Sequence, residues 1–215
     1  MRLARSSTTF KTVLGVTAAA VLSLPLAACS AASEDKPDPV AQVDNLSGQD
    51  TSVMLDQGFV DALASLKLTP GVVGEAKLAD GSVSFPITGG DVTYYEPGSI
   101  DPYVQGIIEH EGSGLSLTAG DTTAELTNFE IDPGTSKLYG DMAVNGESAA
   151  DHAFIFQLDG STLKPLQTEG DTAILEGTKV EMSDDAAALL NDTFNTDAVK
   201  GGLLVGIAKI TINTK

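Results

Sequence analysis

The chain of 215 residues is 42% hydrophobic, which is ordinary for a globular protein and enough to build one sizeable core. Arg2, Arg5 and Lys11 lie near the N-terminus, whereas all 30 acidic residues lie beyond residue 29. Residues 29–215 therefore carry nine lysines, no arginine and a formal charge of −21. This composition excludes nucleic acid as a partner, because acidic surfaces repel its phosphate backbone. The acidic side chains are expected to form a solvated exterior, and the alternative is an acidic patch that binds cations or a basic partner.

The first 28 residues predict a secretion signal. Residues 1–11 are basic, and residues 12–24 are almost wholly apolar. This apolar run is short for a membrane span and fits the apolar core of a signal peptide. The Leu-Ala-Ala-Cys motif at 26–29 resembles a bacterial lipobox. The resemblance implies cleavage before Cys29 and attachment of diacylglycerol to it.

Cys29 is the only cysteine of the chain, so an internal disulfide is excluded. Lipidation is favoured over the alternative, an ordinary signal peptide followed by an incidental cysteine. We expect an exported protein that faces outside the cytoplasm and is held at the cell membrane by acyl chains such as palmitate. Residues 29–52 are rich in Ser, Ala, Asp and Pro and predict a flexible tether. Residues 53–215 are then one globular domain.

The domain is predicted to be mainly β, as a single antiparallel sandwich or barrel-like fold with two short helices, because 22 glycines and 9 prolines favour many turns. Asp56 is expected to cap a helix over 57–66, which Thr69-Pro70-Gly71 ends. Ser183 is expected to cap a second helix that reaches Phe194. Strands are predicted over 74–79, 82–87, 91–96, 103–111, 115–119, 122–131, 137–145, 152–158, 172–176, 179–182 and 203–212.

Glycine-containing turns separate several of these strands. Asp80-Gly81 and Gly120-Asp121 predict tight hairpins, and Gly112-Ser113-Gly114 predicts a third hairpin connection. The stretch 203–212 is apolar on both faces in its first half, so we expect a central strand paired on both sides. Residues 74–78 are its expected neighbour, because a similar strand–helix–strand sequence occurs at both ends of the domain.

The sequence contains no motif for catalysis or for a metal site. No Gly-x-Ser-x-Gly motif occurs, and only His110 and His152 are available as bases. His-Glu-x-x-His, paired cysteines and Asp-x-Asp-x-Asp-Gly calcium loops are absent as well. We therefore expect no catalytic residue, no metal and no enzyme activity, and an enzyme without a recognisable motif is the alternative.

One group of residues suggests a ligand. Tyr94 and Tyr95 lie in one predicted strand and His110 in a later one. The pattern continues with Thr127-Asn128-Phe129 and Leu138-Tyr139. Over residues 82–145 this layout resembles the HtaA-type haem-binding domains of actinobacterial surface proteins. The resemblance implies Tyr94 or Tyr95 as the ligand of haem iron with His110 in support, although this chain has no tryptophan and its predicted domain has no arginine for the haem propionates.

A structural role is the alternative for these three residues. Tyr94 and Tyr95 then alternate across their strand, one in the core and one outside, and His110 is a solvated edge residue. As a function we expect a non-enzymatic binding or interaction module of the cell envelope, for a ligand or protein that the sequence does not identify. A haem-binding surface lipoprotein is the alternative, and no other cofactor is expected. An apolar cavity favours a ligand carrier, whereas a filled core favours a surface interaction.

Overall fold

The computed structural model describes residues 36–215, so the predicted signal segment, Cys29 and the first part of the tether lie outside the described residues. Within the described range, thirteen strands form one sheet, and two helices pack against it. The strands are β1 (Ala41–Val43), β2 (Asp50–Leu55), β3 (Thr69–Gly74), β4 (Lys77–Ala79), β5 (Ser82–Pro86), β6 (Gly89–Tyr94), β7 (Val104–Ala119), β8 (Thr122–Asp132), β9 (Lys137–Val144), β10 (Glu147–Asp159), β11 (Gln167–Glu169), β12 (Thr172–Met182) and β13 (Leu204–Asn213). The helices are α1 (Gln57–Ser65) and α2 (Asp184–Phe194).

The sheet is a curled half-barrel whose strands pair antiparallel throughout. Its order is β1-β6-β7-β8-β9-β10-β12-β13-β2-β5-β4, with β3 beside β7 and β11 beside β12. The predicted fold class is therefore confirmed in its barrel-like form. Neither helix of residues 36–215 is long and apolar enough to cross a bilayer.

The curl brings the two ends of the strand order together. β5 and β6 lie near opposite ends of that order, yet only Ile87 and Thr88 connect them. The Ile87 amide donates to the Gln49 carbonyl (3.0 Å), and the Thr88 amide donates to the Glu109 carbonyl (2.8 Å). Ile87 and Thr88 are thus hydrogen-bonded both to the segment before β2 and to β7. These two bonds hold the ends of the curled sheet together.

Both helices begin where the sequence predicts. The Asp56 side chain accepts a hydrogen bond from the Gly58 amide (2.8 Å), and the Ser183 hydroxyl accepts one from the Ala186 amide (2.9 Å). Each bond satisfies an amide that the first helical turn leaves without a partner. α1 contacts β13 and β3, and α2 contacts β10 and β8. Their buried residues are Phe59, Leu63, Ala186, Ala187 and Leu190.

The C-terminal strand is central, as predicted, but its neighbours differ from the expected one. β13 pairs with β12 on one side and with β2 on the other. Residues 74–78 instead end β3 and begin β4, which pair with β7 and β5. The similarity between the two strand–helix–strand segments therefore did not identify the strand partner, because sequence similarity carries no information on pairing.

Part of the segment predicted as a flexible tether belongs to the sheet. β1 pairs with β6, and β2 pairs with β13 and β5. Leu46 between them is only 3% exposed, and its amide donates to the Gly90 carbonyl (2.9 Å). The polar composition of 29–52 reflects turns between short strands here. Residues 29–35 of the predicted tether lie outside the described residues.

The hairpin predicted at Gly112-Ser113-Gly114 does not form. β7 continues through these residues, and its pairing with β8 shifts between His110 and Gly114 as in a β-bulge. Gly112 has a φ of +71°, and its amide donates to the Asn128 side chain (2.9 Å). A Cβ on Gly114 would lie 2.0 Å from the Leu126 carbonyl oxygen. The glycines therefore bend one long strand and allow close approach of the next.

In the second half of the chain, too, a bulge was predicted as a break between two strands. The strands predicted over 172–176 and 179–182 are one strand, β12, whose pairing with β13 shifts between Glu176 and Thr178. Gly177 at this bulge has a φ of +114°. At both positions the glycine marks a bulge within one strand and not a chain reversal.

Candidate functional site: an apolar cavity in the half-barrel

A cavity of about 320 Å³ lies inside the curled sheet. Most of its lining side chains are apolar and come from strands on both halves of the sheet. Examples are Val53, Phe85, Ile108, Ile131, Leu175 and Ile212. Many of these lining side chains also belong to the hydrophobic core.

The cavity and the helices occupy separate parts of the core. No residue of α1 or α2 lines the cavity. Along β8, Phe129 and Ile131 face the cavity, whereas Ala124 and Leu126 are buried outside its lining. The helices thus pack against the sheet outside the cavity lining.

Two tyrosines lie together on the cavity wall. The rings of Tyr94 and Tyr103 meet edge to face, with centroids 5.8 Å apart. Tyr94 is buried, whereas Tyr103 is partly exposed. Burial raises the pKa of Tyr103, and the neighbouring Tyr94 raises it further. The Tyr103 hydroxyl is consequently neutral at physiological pH.

A buried polar pair interrupts the apolar lining. His110 is 1% exposed and Thr51 is 3% exposed, and both line the cavity. His110 Nε2 lies 2.9 Å from Thr51 Oγ1, and its Nδ1 lies 3.2 Å from the Phe129 carbonyl oxygen. Burial lowers the pKa of His110 to about 4, against the opposing effect of the Phe129 hydrogen bond. The imidazole is therefore neutral at physiological pH.

The cavity lining contains no cationic side chain. Neither lysine nor arginine is among the described residues that line it, and Asp101 is its charged member. An anion entering this space would lose its hydration and find no opposite charge. The electrostatics of the cavity thus favour uncharged molecules.

The structure does not bring the predicted ligand residues together. Tyr94 and His110 line the same cavity, whereas Tyr95, which is 7% exposed, does not. Tyr94 pairs with Val104, which precedes His110 by six residues on β7. At about 3.3 Å per residue, roughly 20 Å of strand separates Val104 from His110, which is more than the Tyr94 and His110 side chains span together. The structural alternative fails as well, because both tyrosines and His110 are buried.

A second, polar groove lies beside the bulge of β7, with four acidic residues at its edges. The Asp141 carboxylate accepts from the Asn128 side-chain amide and from the His152 backbone amide, both at 2.8 Å. These bonds, the Asn128 bond above all, lower the pKa of Asp141. The His152 ring stacks on Tyr139 with centroids 4.6 Å apart. Among residues 36–215, no three His, Cys, Asp or Glu side chains are arranged to hold a metal ion.

Sequence reasoning missed Thr51 because the residue lies in the segment predicted as a tether. A signal for it is nevertheless present. Thr51, Val53 and Leu55 alternate with Ser52 and Met54, which is the period-two pattern of a strand with one buried face. Because this pattern is short and begins with a polar residue, the prediction followed the polar composition of the segment and not the pattern.

Comparison with solved structures finds the same fold in another bacterial protein. The C-terminal domain of HtaA from Corynebacterium glutamicum matches 79% of this chain and 98% of that domain, with a TM-score of 0.55 and 13% identity. The N-terminal domain of the same protein matches 79% of this chain and 99% of that domain, with a TM-score of 0.51 and 13% identity. The heme binding protein HtaB from C. glutamicum gives a TM-score of 0.48 at 9% identity, over 80% of this chain and 96% of that one. No family model and no curated protein sequence matches the chain.

At these identities the likeness concerns the fold alone. The apolar cavity is the feature of this chain that favours a binding module.

Proposed function

We propose that this chain is an exported lipoprotein whose β domain binds a small apolar molecule inside the half-barrel. The cavity of about 320 Å³ and its apolar lining carry the proposal. Small-molecule sites are typically concave spaces of about 300–1,000 Å³ with mostly apolar walls and a few polar groups. Protein cores are otherwise close-packed, and unfilled apolar space reduces stability. A bound ligand supplies the contacts that the lining side chains lack.

The proposed lipid anchor suits such a ligand. Acyl chains on Cys29 hold the domain next to a bilayer, which is where molecules of low water solubility accumulate. The membrane is then the partner through the anchor, and the acidic domain repels nucleic acid. No catalytic step is needed, because enclosure alone moves or stores the ligand.

The test is to extract the purified full chain with organic solvent and to analyse the extract by mass spectrometry. Ala208 lines the cavity and is 5% exposed, so Ala208→Phe fills part of the space. Ala149 is exposed on β10, and Ala149→Phe is the matched control. We expect an apolar compound in near-equimolar amount on the wild type and on Ala149→Phe, and severalfold less on Ala208→Phe. Equal amounts on all three proteins would contradict the proposal.

Haem is the second candidate ligand, and the fold shared with the HtaA domains is the observation that favours it. Tyr94 is the residue of the predicted pair that lines the cavity, so it is the proposed iron ligand. Ligation has to proceed without support from His110, because about 20 Å of strand separates the two. The absence of lysine and arginine from the described lining opposes this candidate, since haem carries two propionates.

Titration of the full chain with haemin distinguishes the two candidates. A haem protein of this type develops a saturable Soret band that Tyr94→Phe abolishes. Tyr95→Phe is the control, because Tyr95 is equally buried but does not line the cavity. If the wild type gives no saturable band, or if Tyr94→Phe keeps it, the haem assignment is wrong.

A further inference from the structure

Proton positions in the buried pair follow from its hydrogen bonds. A carbonyl oxygen only accepts, so the hydrogen that His110 shares with Phe129 is on Nδ1. A neutral imidazole carries one N–H, and Nε2 is therefore an acceptor. The bond of 2.9 Å to Thr51 Oγ1 is then donated by the threonine hydroxyl.

This assignment decides what the pair can offer to a ligand. The single N–H of His110 is occupied by Phe129, and the hydroxyl hydrogen of Thr51 is occupied by His110. A hydroxyl oxygen has two lone pairs and still accepts when its hydrogen is donated. The buried pair thus presents an acceptor, and it has no donor to give.

The two aromatic neighbours of the pair limit the room around this acceptor. The Phe85 ring lies edge to face with His110, with centroids 6.3 Å apart, and with Phe129, with centroids 5.2 Å apart. The acceptor is thus surrounded by apolar surface. Thr51 Oγ1 already bonds His110, and a ligand donor at its remaining lone pair gains more than it would in water, because hydrogen bonds are stronger in apolar surroundings.

We infer that the ligand is a neutral molecule with an apolar body and a hydroxyl group that donates a hydrogen bond to Thr51. The inference rests on the proposed function and specifies the chemical class of its ligand. Carboxylates and phosphates are disfavoured twice, because they accept where the site also accepts and because no described cation lines the cavity. Simple hydrocarbons fit the walls but leave the buried acceptor without a donor.

Photolabelling of the full chain in phosphatidylcholine vesicles tests the inference. Three probes with a terminal diazirine are used, namely analogues of 1-dodecanol, of dodecanoate in its ionised form and of dodecane. Labelled peptides are quantified by mass spectrometry, and those from β2, β12 and β13 report on the cavity. We expect the dodecanol analogue to label these peptides most and the dodecanoate analogue least.

Substitutions at Thr51 then test the hydrogen bond itself. Thr51→Val keeps the side-chain shape and removes the acceptor, so labelling by the dodecanol analogue should fall about two- to tenfold. Labelling by the dodecane analogue should remain, which shows that the cavity of the variant is intact. Thr51→Ser should restore the preference for the alcohol. Thr168→Val is the matched control, since Thr168 is exposed and does not line the cavity.

The outcomes separate the two proposals. If none of the three probes labels the cavity peptides of the wild type, the proposed function is wrong and this inference fails with it. If the probes label but dodecanoate equals dodecanol, or Thr51→Val leaves the preference for dodecanol unchanged, only the inference about the ligand class is overturned. If Thr51→Val loses labelling by all three probes, its cavity is no longer intact. The ranking of the three probes on the wild type then decides whether the inferred ligand class is correct.

Discussion

Thr51 Oγ1 and His110 Nε2 lie 2.9 Å apart although their strands are not neighbours in the sheet. Thr51 is on β2, near one end of the strand order, and His110 is on β7, near the other end. Phe85 and Phe129 meet beside this bond with ring centroids 5.2 Å apart. The hydrogen bond and the aromatic pair thus connect the two ends of the curled sheet across its interior. Thr51 and His110, which connect these two ends, also supply the buried polar group of the cavity.

Acid should destabilise the protein through His110 at a pH well above the titration of its carboxylates. An unfolded histidine has a pKa of about 6.5, whereas burial lowers the pKa of His110 to about 4. Between these values the unfolded chain binds a proton that the folded chain does not, so the free energy of unfolding falls as the pH falls. Above about pH 7 the titration of His110 should leave the free energy of unfolding unchanged. By pH 4 it should lower the free energy of unfolding by roughly 2–4 kcal/mol.

Urea unfolding of the full chain across this pH range, followed by circular dichroism, measures the effect. His110→Gln is the comparison, because glutamine donates and accepts hydrogen bonds without titrating. Its free energy of unfolding should vary less between pH 7 and 4 than that of the wild type. His152→Gln is the control for the exposed histidine. An unchanged slope in His110→Gln would show that another group is responsible.

A charge in the central strand should unfold the domain. Val205 lies in β13, is 2% exposed and lines the cavity. Val205→Asp buries a carboxylate without a partner, at a cost of several kcal/mol. Domains are typically stable by only about 5–15 kcal/mol, so the variant should be largely unfolded by circular dichroism.

Met54→Asp on the neighbouring strand is the matched control for that prediction. Met54 is 55% exposed, and its substitution should cost less than about 1 kcal/mol. If Val205→Asp melts as cooperatively as Met54→Asp and at a similar temperature, β13 is not part of the core that stabilises the sheet.

The bulge of β7 requires a glycine at position 114. A Cβ there would lie 2.0 Å from the Leu126 carbonyl oxygen, so Gly114→Ala forces β7 and β8 apart. We expect a loss of about 1–3 kcal/mol or more, measured by urea unfolding. Gly160→Ala serves as the control, because no atom lies within 4 Å of the added methyl group. Equal stability of the two variants would mean that the close approach of the strands at Gly114 does not exist.

Lipidation is expected to depend on Cys29 alone. When the full chain is expressed in a bacterium fed with labelled palmitate, the wild type should incorporate the label and sediment with membranes. Cys29→Ser should incorporate none, because serine lacks the thiol that accepts diacylglycerol. The double variant Cys29→Ser with Ser30→Cys moves the only thiol by one residue, and it tests whether lipidation requires the thiol at position 29. Label in the Cys29→Ser variant would refute the predicted anchor.

Local features of the fold were predictable because neighbouring residues decide them. Asp56 and Ser183 cap the two helices as expected, since a cap requires only a short polar side chain followed by an amphipathic stretch. Asp80-Gly81 and Gly120-Asp121 join consecutive strands as expected. The central position of β13 followed from its apolar residues on both faces.

Features that depend on distant parts of the chain were predicted wrongly or not at all. The turn at 112–114 is a bulge because β8 continues alongside β7 there, and no local pattern announces this pairing. The strands of Tyr94 and His110 are neighbours, yet the register places Tyr94 opposite Val104, about 20 Å of strand from His110. The alternative in which His110 is a solvated edge residue is wrong, because residues of β2 and β5 cover it.

The sequence by itself determined the mainly antiparallel class, the helix caps and the apolar central strand, because these follow from overall composition or from residues close together in the chain. The secretion signal and the lipid site stay predictions from the sequence. Only the tertiary structure decided the strand order, the inclusion of 41–55 in the sheet and the cavity with its Thr51–His110 pair. The physical reason is that a cavity is space between side chains from many strands. Its existence depends on how far the sheet curls before its ends meet, and that curvature is set by bulges and by contacts between residues far apart in the chain.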